Sequence, residues 1–128
     1  MKENVTKLPT RRNEIQDIWE EIEAAEEKVE QLEEQLSLVE LIATAPSGIA
    51  IANACDQIKR LLLEKNISYG NSALSPINIF AKDGAAGGIA HRIDDKLNRI
   101  KNNQEFANEN DLDDLLGYLI LYKIATNV

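Results

Sequence analysis

Three aspartates in four residues stand at the head of an otherwise almost wholly apolar segment, "DLDDLLGYLIL" at 111–121. On a helix of 3.6 residues per turn, Asp111 and Asp114 fall about 60° apart, on the side shared by Tyr118, and Asp113 points elsewhere. Acids in a first turn satisfy free backbone amides and favour the helix dipole, each by about 0.3–1 kcal/mol. That accounts for Asp113. It accounts less well for Asp111 and Asp114, because the leucines and isoleucines around this helix predict burial on most sides. Two carboxylates brought together there repel unless a cation or a basic side chain lies between them. Hard oxygens at this spacing suit Mg²⁺ or Mn²⁺.

A second group of ionisable residues lies upstream, in "HRIDDKLNRI" at 91–100. Helical spacing puts His91, Asp94 and Asn98 along one flank of an apolar face, and Arg92, Asp95 and Arg99 along the other, with Asp95 most nearly opposite the core. Asp94 is then the better candidate for a buried metal site and Asp95 for a surface ion pair. His91 by itself reads as an ordinary surface or core histidine. Arg92, Lys96 and Arg99 could neutralise phosphates, with ion pairing to Asp95 as their default role.

The elements that must position these groups follow from periodicity. Ile15, Ile18, Ile22, Ala25, Val29, Leu32, Leu36 and Val39 recur at spacings of three and four, with mostly Glu, Gln and Lys between them. This is a heptad seam on one long helix, about residues 14–43, with Asn13 as its N-cap and "TAPSG" as its end. The seam packs either on the chain's own helices or, as its strictness and polar flanks favour, against further copies. A second helix is expected from Ser47 to about Asn66, a third over about 88–102 and a fourth from about Asn110 to Thr126. Apart from a weak alternation at "INIF", no strand pattern occurs. The expected class is all-α: a long N-terminal coiled-coil-type helix (1–46), then a compact helical domain of about three helices (47–128).

Between the second and third helices runs "ISYGNSALSPINIFAKDGAAGG" at 67–88, and a loop of this length in a small domain is usually functional. Tyr69 and Phe80 are two of six aromatic residues in the chain. Either could stack on a base, or anchor the loop to the core, which is the better reading of Phe80. Asn71 and Ser72 could bind a sugar or phosphate or simply shape the turn. The glycines of "DGAAGG" lack the Lys-Ser/Thr ending of a phosphate loop and read as a flexible connector.

Charge bounds the partners. The chain of 128 residues carries a net charge of −8, of which −7 falls in residues 1–46 and −1 in the remainder. That argues against duplex DNA and leaves room for a small phosphorylated ligand in the C-terminal part. No apolar run suits a membrane span and the first residues lack a secretory signal's apolar core. A single cysteine, Cys55, lies in an apolar stretch and reads as a buried thiol, in keeping with a cytoplasmic location.

"YGNSALSP" at 69–76, Phe80, "RIDDKLNRI" at 92–100 and "DLDDLLGYLILYKIA" at 111–125 together resemble a small phage and bacterial family, the nucleotide modification associated domain of the first type. The resemblance spans about residues 52–125 and leaves out the heptad helix. "DLDDLLGYL" is also similar to the last motif helix of MazG-like all-α nucleotide pyrophosphohydrolases, whose E-x-x-E and E-x-x-D motifs hold Mg²⁺ on a nucleoside triphosphate. The resemblance implies that Asp111 and Asp114 form the second motif and that Asp94 and Asp95 supply the first. It also implies a nucleotide ligand, for which the residues themselves offer Tyr69, Asn71, Ser72, Phe80, Arg92, Lys96, Arg99 and Tyr118 as candidate contacts. The first motif departs from the family pattern: a register that keeps Asp94 puts His91 where a glutamate belongs, and one that keeps Asp95 puts Arg92 there. The leading expectation is therefore a phage-type, anti-defence protein that binds or sequesters a nucleotide, such as a cyclic signalling nucleotide, in the host bacterial cytoplasm. The rival expectations are a Mg²⁺-dependent pyrophosphohydrolase using all four aspartates and a non-catalytic coiled-coil interaction module.

Overall fold

A computed structural model describes residues 11–103 and 110–127. Among them are four helices and no strand: α1 (Arg11–Thr44), α2 (Gly48–Tyr69), α3 (Gly84–Lys101) and α4 (Asp111–Thr126). The chain divides into two units, Met1–Ile49 and Ala50–Val128. No helix among the described residues is long and apolar enough to cross a membrane.

Helix α1 already includes Arg11 and Arg12, so Asn13 sits inside the helix and is not its cap. Arginine is a good helix former and carries the helix back past the asparagine. None of its 34 residues is buried. The seam from Ile15 to Val39 lies exposed along the whole length. At the other end the Ala45 amide donates to the Leu41 carbonyl and the Gly48 amide to the Ala45 carbonyl, turning the chain at Pro46.

Helix α2 runs three residues further than the spacing predicts, to Tyr69. It meets α4 through its second half, where Leu62 lies over Gly117 and Lys65 reaches Asp114. Gly117 is buried, and a methyl group there would come within 3.0 Å of Leu62 Cδ2. Cys55 lies two turns before Leu62 and is exposed, which corrects the expectation of a buried thiol. Its apolar neighbours in sequence belong to the part of α2 ahead of these contacts.

The segment after α2 is a structured turn. Gly70 and Asn71 adopt left-handed backbone at φ +59° and +62°, conformations that glycine and asparagine tolerate best. The Asn66 side-chain Nδ2 donates to Asn71 Oδ1 at 2.9 Å, and the Asn71 backbone carbonyl accepts from the Ser75 backbone amide. "INIF" is irregular, and Phe80 is 99% exposed, against the expectation that it anchors the loop.

Helix α3 starts at Gly84, so the glycines expected to form a connector make its first turn instead. Gly84 has φ +71°. At Gly87 any side chain would collide with Asp83 Cβ, so close packing, and not flexibility, explains that residue. Ile89 and Lys96 are its buried residues, while Arg99 and Lys101 stand in its last turn, where cations favour the dipole.

Helices α3 and α4 pack along each other. Asn110 caps α4, its Oδ1 accepting from the Leu112 and Asp113 amides at 3.1 Å each. Burial on α4 reverses the expected order. Asp111 and Gly117 are buried, whereas Leu112, Leu116, Leu119, Ile120 and Ile124 are exposed. The face that carries the small and charged residues is the one turned to α3 and to Leu62 and Lys65 of α2, and Leu115 and Leu121 are half-buried beside it.

Candidate functional site

Because α3 and α4 pack side by side, Lys96 of α3 points at the first turn of α4. Its Nζ lies 2.9 Å from Asp114 Oδ2 and 3.2 Å from Asp111 Oδ1, so one ammonium group sits between the two carboxylates. Lys65 of α2 approaches Asp114 from the other side, 2.6 Å from Oδ1. Arg99 Nη1 lies 3.7 Å from Asp111 Oδ1. The side chains of Lys96, Asp111 and Asp114 are only 10%, 4% and 11% exposed. Charges taken this far from water are tolerated only when they are paired.

Two opposing effects act on the Asp114 carboxyl. Burial, the larger single one, raises its pKa by disfavouring the charged form. Hydrogen bonds from Lys65 and Lys96, with the two positive charges, act the other way and together hold it below its ordinary value. Asp114 is thus an anion held by its neighbours. Asp111 Oδ2 is buried and has no hydrogen-bond partner among the described residues.

In front of this cluster opens a cavity of about 550 Å³, bounded by α2, the turn after it, α3 and α4. This is the size of a small-molecule site. Lys65, Arg92, Lys96 and Arg99 line it, opposed by Asp95, Asp113 and Asp114. Tyr69 and Tyr118 supply aromatic surface, and Asn66, Asn71 and Ser72 supply neutral hydrogen-bonding groups. The Lys65 side chain is 43% exposed, and its ammonium has hydrogens beyond the one given to Asp114 for an oxygen in the cavity.

Most residues singled out from the sequence meet here: Tyr69, Asn71, Ser72, Arg92, Asp95, Lys96, Arg99, Asp114 and Tyr118 all border the cavity. Asp111 stands behind it, holding Lys96. Asp113, expected to point elsewhere, is at the rim. Asp94 and Phe80 are exposed and border no part of the cavity. Of the two neighbouring aspartates, both exposed, Asp95 borders the cavity and Asp94 does not. His91 turns away as well, its Nε2 lying 3.0 Å from Asp83 Oδ2 in an exposed pair.

Lys65 and Asn66 were not anticipated. The signal for them was present: Leu61, Leu62, Lys65, Asn66 and Tyr69 recur at helical spacing and continue the apolar stripe of α2 into polar residues.

The fit of a divalent cation can be tested on these contacts. Mg²⁺ takes about six oxygens at 2.0–2.1 Å in near-octahedral geometry. Asp111 and Asp114 give their facing oxygens to the Lys96 ammonium, Asp114 gives the other to Lys65, and Asp94 stands apart. No group of three acidic, histidine or cysteine side chains suited to a metal ion occurs among the described residues. The arrangement does not fit Mg²⁺. No family model matches the chain, and neither a curated protein nor a solved structure is significantly similar to it.

Proposed function

We propose that the helical unit after α1 binds a nucleotide in the cavity between α2, α3 and α4, and holds it without breaking a bond. The observation that carries this reading is the composition of the cavity wall: four cationic side chains, two tyrosines and a set of small polar groups around about 550 Å³. Arg92, Arg99 and Lys65 are suited to phosphate oxygens, because guanidinium forks and ammonium groups form charge-assisted hydrogen bonds with them. Tyr69 or Tyr118 offers a ring on which a base can stack. The three aspartates on the same wall offset much of the positive charge, which favours a ligand with few phosphates, a cyclic nucleotide among them, over a triphosphate.

The long helix has a separate role in this proposal, joining copies of the chain through its seam. What supports this is that the whole apolar stripe of α1 is exposed, as are the leucines of α4, and exposed apolar surface of this extent marks an interaction site. The alternative of a Mg²⁺-dependent pyrophosphohydrolase is favoured only by the meeting of Asp95, Asp113 and Asp114 at one wall, and the occupation of Asp114 by two lysines counts against it.

An incubation series tests the proposal. Purified protein is mixed with ribo-, deoxyribo- and cyclic nucleotides, with and without Mg²⁺, then filtered, and the filtrate is analysed by chromatography before and after heating. Binding predicts a nucleotide that leaves the filtrate and returns intact on heat denaturation. A monophosphate released with pyrophosphate would replace this reading with the enzymatic one. Nucleotides that all stay free and unchanged would overturn both.

A further inference from the structure

We infer that the Lys96 ammonium occupies the place of a divalent cation, so that the carboxylate pair of α4 is a cation site already filled by the protein's own side chain. This deepens the nucleotide-binding reading and rests on it only for its consequence, that phosphate ligands bind here without metal.

The argument starts from the two aspartates. Asp111 and Asp114 lie one helical turn apart on one face, both nearly buried, an arrangement that repulsion forbids without positive charge between them. A divalent ion is one solution and a lysine is the other. Here Lys96 lies within 3.2 Å of an oxygen from each carboxylate, and its side chain is nine-tenths buried in that position. Ammonium and metal cannot share the space. At about 4 Å separation, repulsion between one positive charge and two lowers affinity for the ion by roughly thirtyfold even at the dielectric of bulk water, and by more in a buried site. Lysine also differs from a bound ion in that it cannot leave. The anion-binding wall therefore keeps a fixed positive charge whatever the metal concentration, and Lys65 and Arg99 extend it on either side.

Removing the ammonium should uncover the cation site. In Lys96→Met, Asp111 Oδ1 and Asp114 Oδ2 lose the group that bridges them, which leaves two carboxylate oxygens for a hard cation whose remaining ligands are water.

The test uses Mn²⁺ alone, read by the loss of the free-ion electron paramagnetic resonance signal, so nucleotide binding does not enter. The expected result is that the full-length wild-type chain immobilises no more Mn²⁺ than its Asp111→Asn/Asp114→Asn double variant. Lys96→Met is expected to take up one further ion per chain with affinity at least about thirtyfold higher, and to lose it again when Asp114→Asn is added. Mn²⁺ should also raise the melting temperature of Lys96→Met and leave that of the wild type unchanged. If Lys96→Met does not fold, Lys96→Gln, which keeps a polar tip, takes its place. The wild-type titration is decisive in either case. Wild-type protein that binds Mn²⁺ in a manner lost in the double variant overturns the inference. A folded Lys96→Met or Lys96→Gln protein that gains no site overturns it too. If the inference holds while no nucleotide binds under any condition, the fault lies with the proposed function.

Discussion

Along α1 no residue is buried, and the stripe of isoleucine, valine and leucine from Ile15 to Val39 stands exposed, while in the unit that follows a lysine and an aspartate are among the most buried side chains. The two regions solve opposite problems. The stripe of α1 has a regular spacing and is exposed along its length. The Lys65–Asp114–Lys96–Asp111–Arg99 cluster has irregular spacing in the sequence and finds its partners within the unit. Hydrophobic residues therefore predict where a helix needs company, and buried charges show where it already has it.

The sharpest way to break this contrast is to take one partner from the cluster. Lys96→Ala leaves two nearly buried carboxylates facing each other, and unfolding in urea should show a loss of about 3–5 kcal/mol. Adding Asp111→Leu should recover part of that loss by removing one stranded charge. A fall no larger than that of an exposed lysine would mean that the cluster is open to water.

Next comes the seam. Leu32→Glu puts a charge in the middle of the α1 stripe and, if copies associate there, should dissociate them in sedimentation equilibrium, with about 2 kcal/mol or more lost per leucine removed from the interface. Because Leu32 is exposed in the single chain, the melting of an isolated monomer should hardly change.

A smaller effect separates the regions by pH. The Asp114 carboxyl is held below its ordinary value of 3.8 in the folded protein. Its contribution to stability is therefore present in full above that value and disappears as pH falls through the lower, native one. Asp114→Asn should flatten the acid limb of the stability curve, measured as denaturation midpoint against pH. The smallest effect belongs to the cap of α4: Asn110→Ala removes an acceptor from two amides and should lower stability by about 1 kcal/mol in thermal unfolding.

Much of the fold was legible because each helix carries its own signal. The heptad spacing marks α1, Asn110 marks the start of α4, and the class follows from the lack of alternation. The start of α3 was misread because glycine suggests flexibility, whereas Gly87 is there to admit Asp83. Cys55 and the leucines of α4 were misread because an apolar residue in a helical pattern says which face it shares and not whether another element reaches that face. The site was half legible. Asp111 and Asp114 could be placed on one face from spacing alone, and the need for a cation between them followed. The identity of that cation could not, since Lys96 and Asp111 are fifteen residues apart, Lys65 and Asp114 forty-nine, and only the packing of three helices brings them together.

The central claim is that this cavity takes a nucleotide with the protein's own cations. Equilibrium dialysis of the nucleotide panel against wild-type protein and Lys65→Glu, with chelator in every chamber, tests it most directly. The account predicts that wild-type protein retains at least one nucleotide in chelator, that Mg²⁺ does not strengthen the retention, and that Lys65→Glu abolishes it. Retention that appears only when Mg²⁺ is restored, or none under either condition, would contradict it.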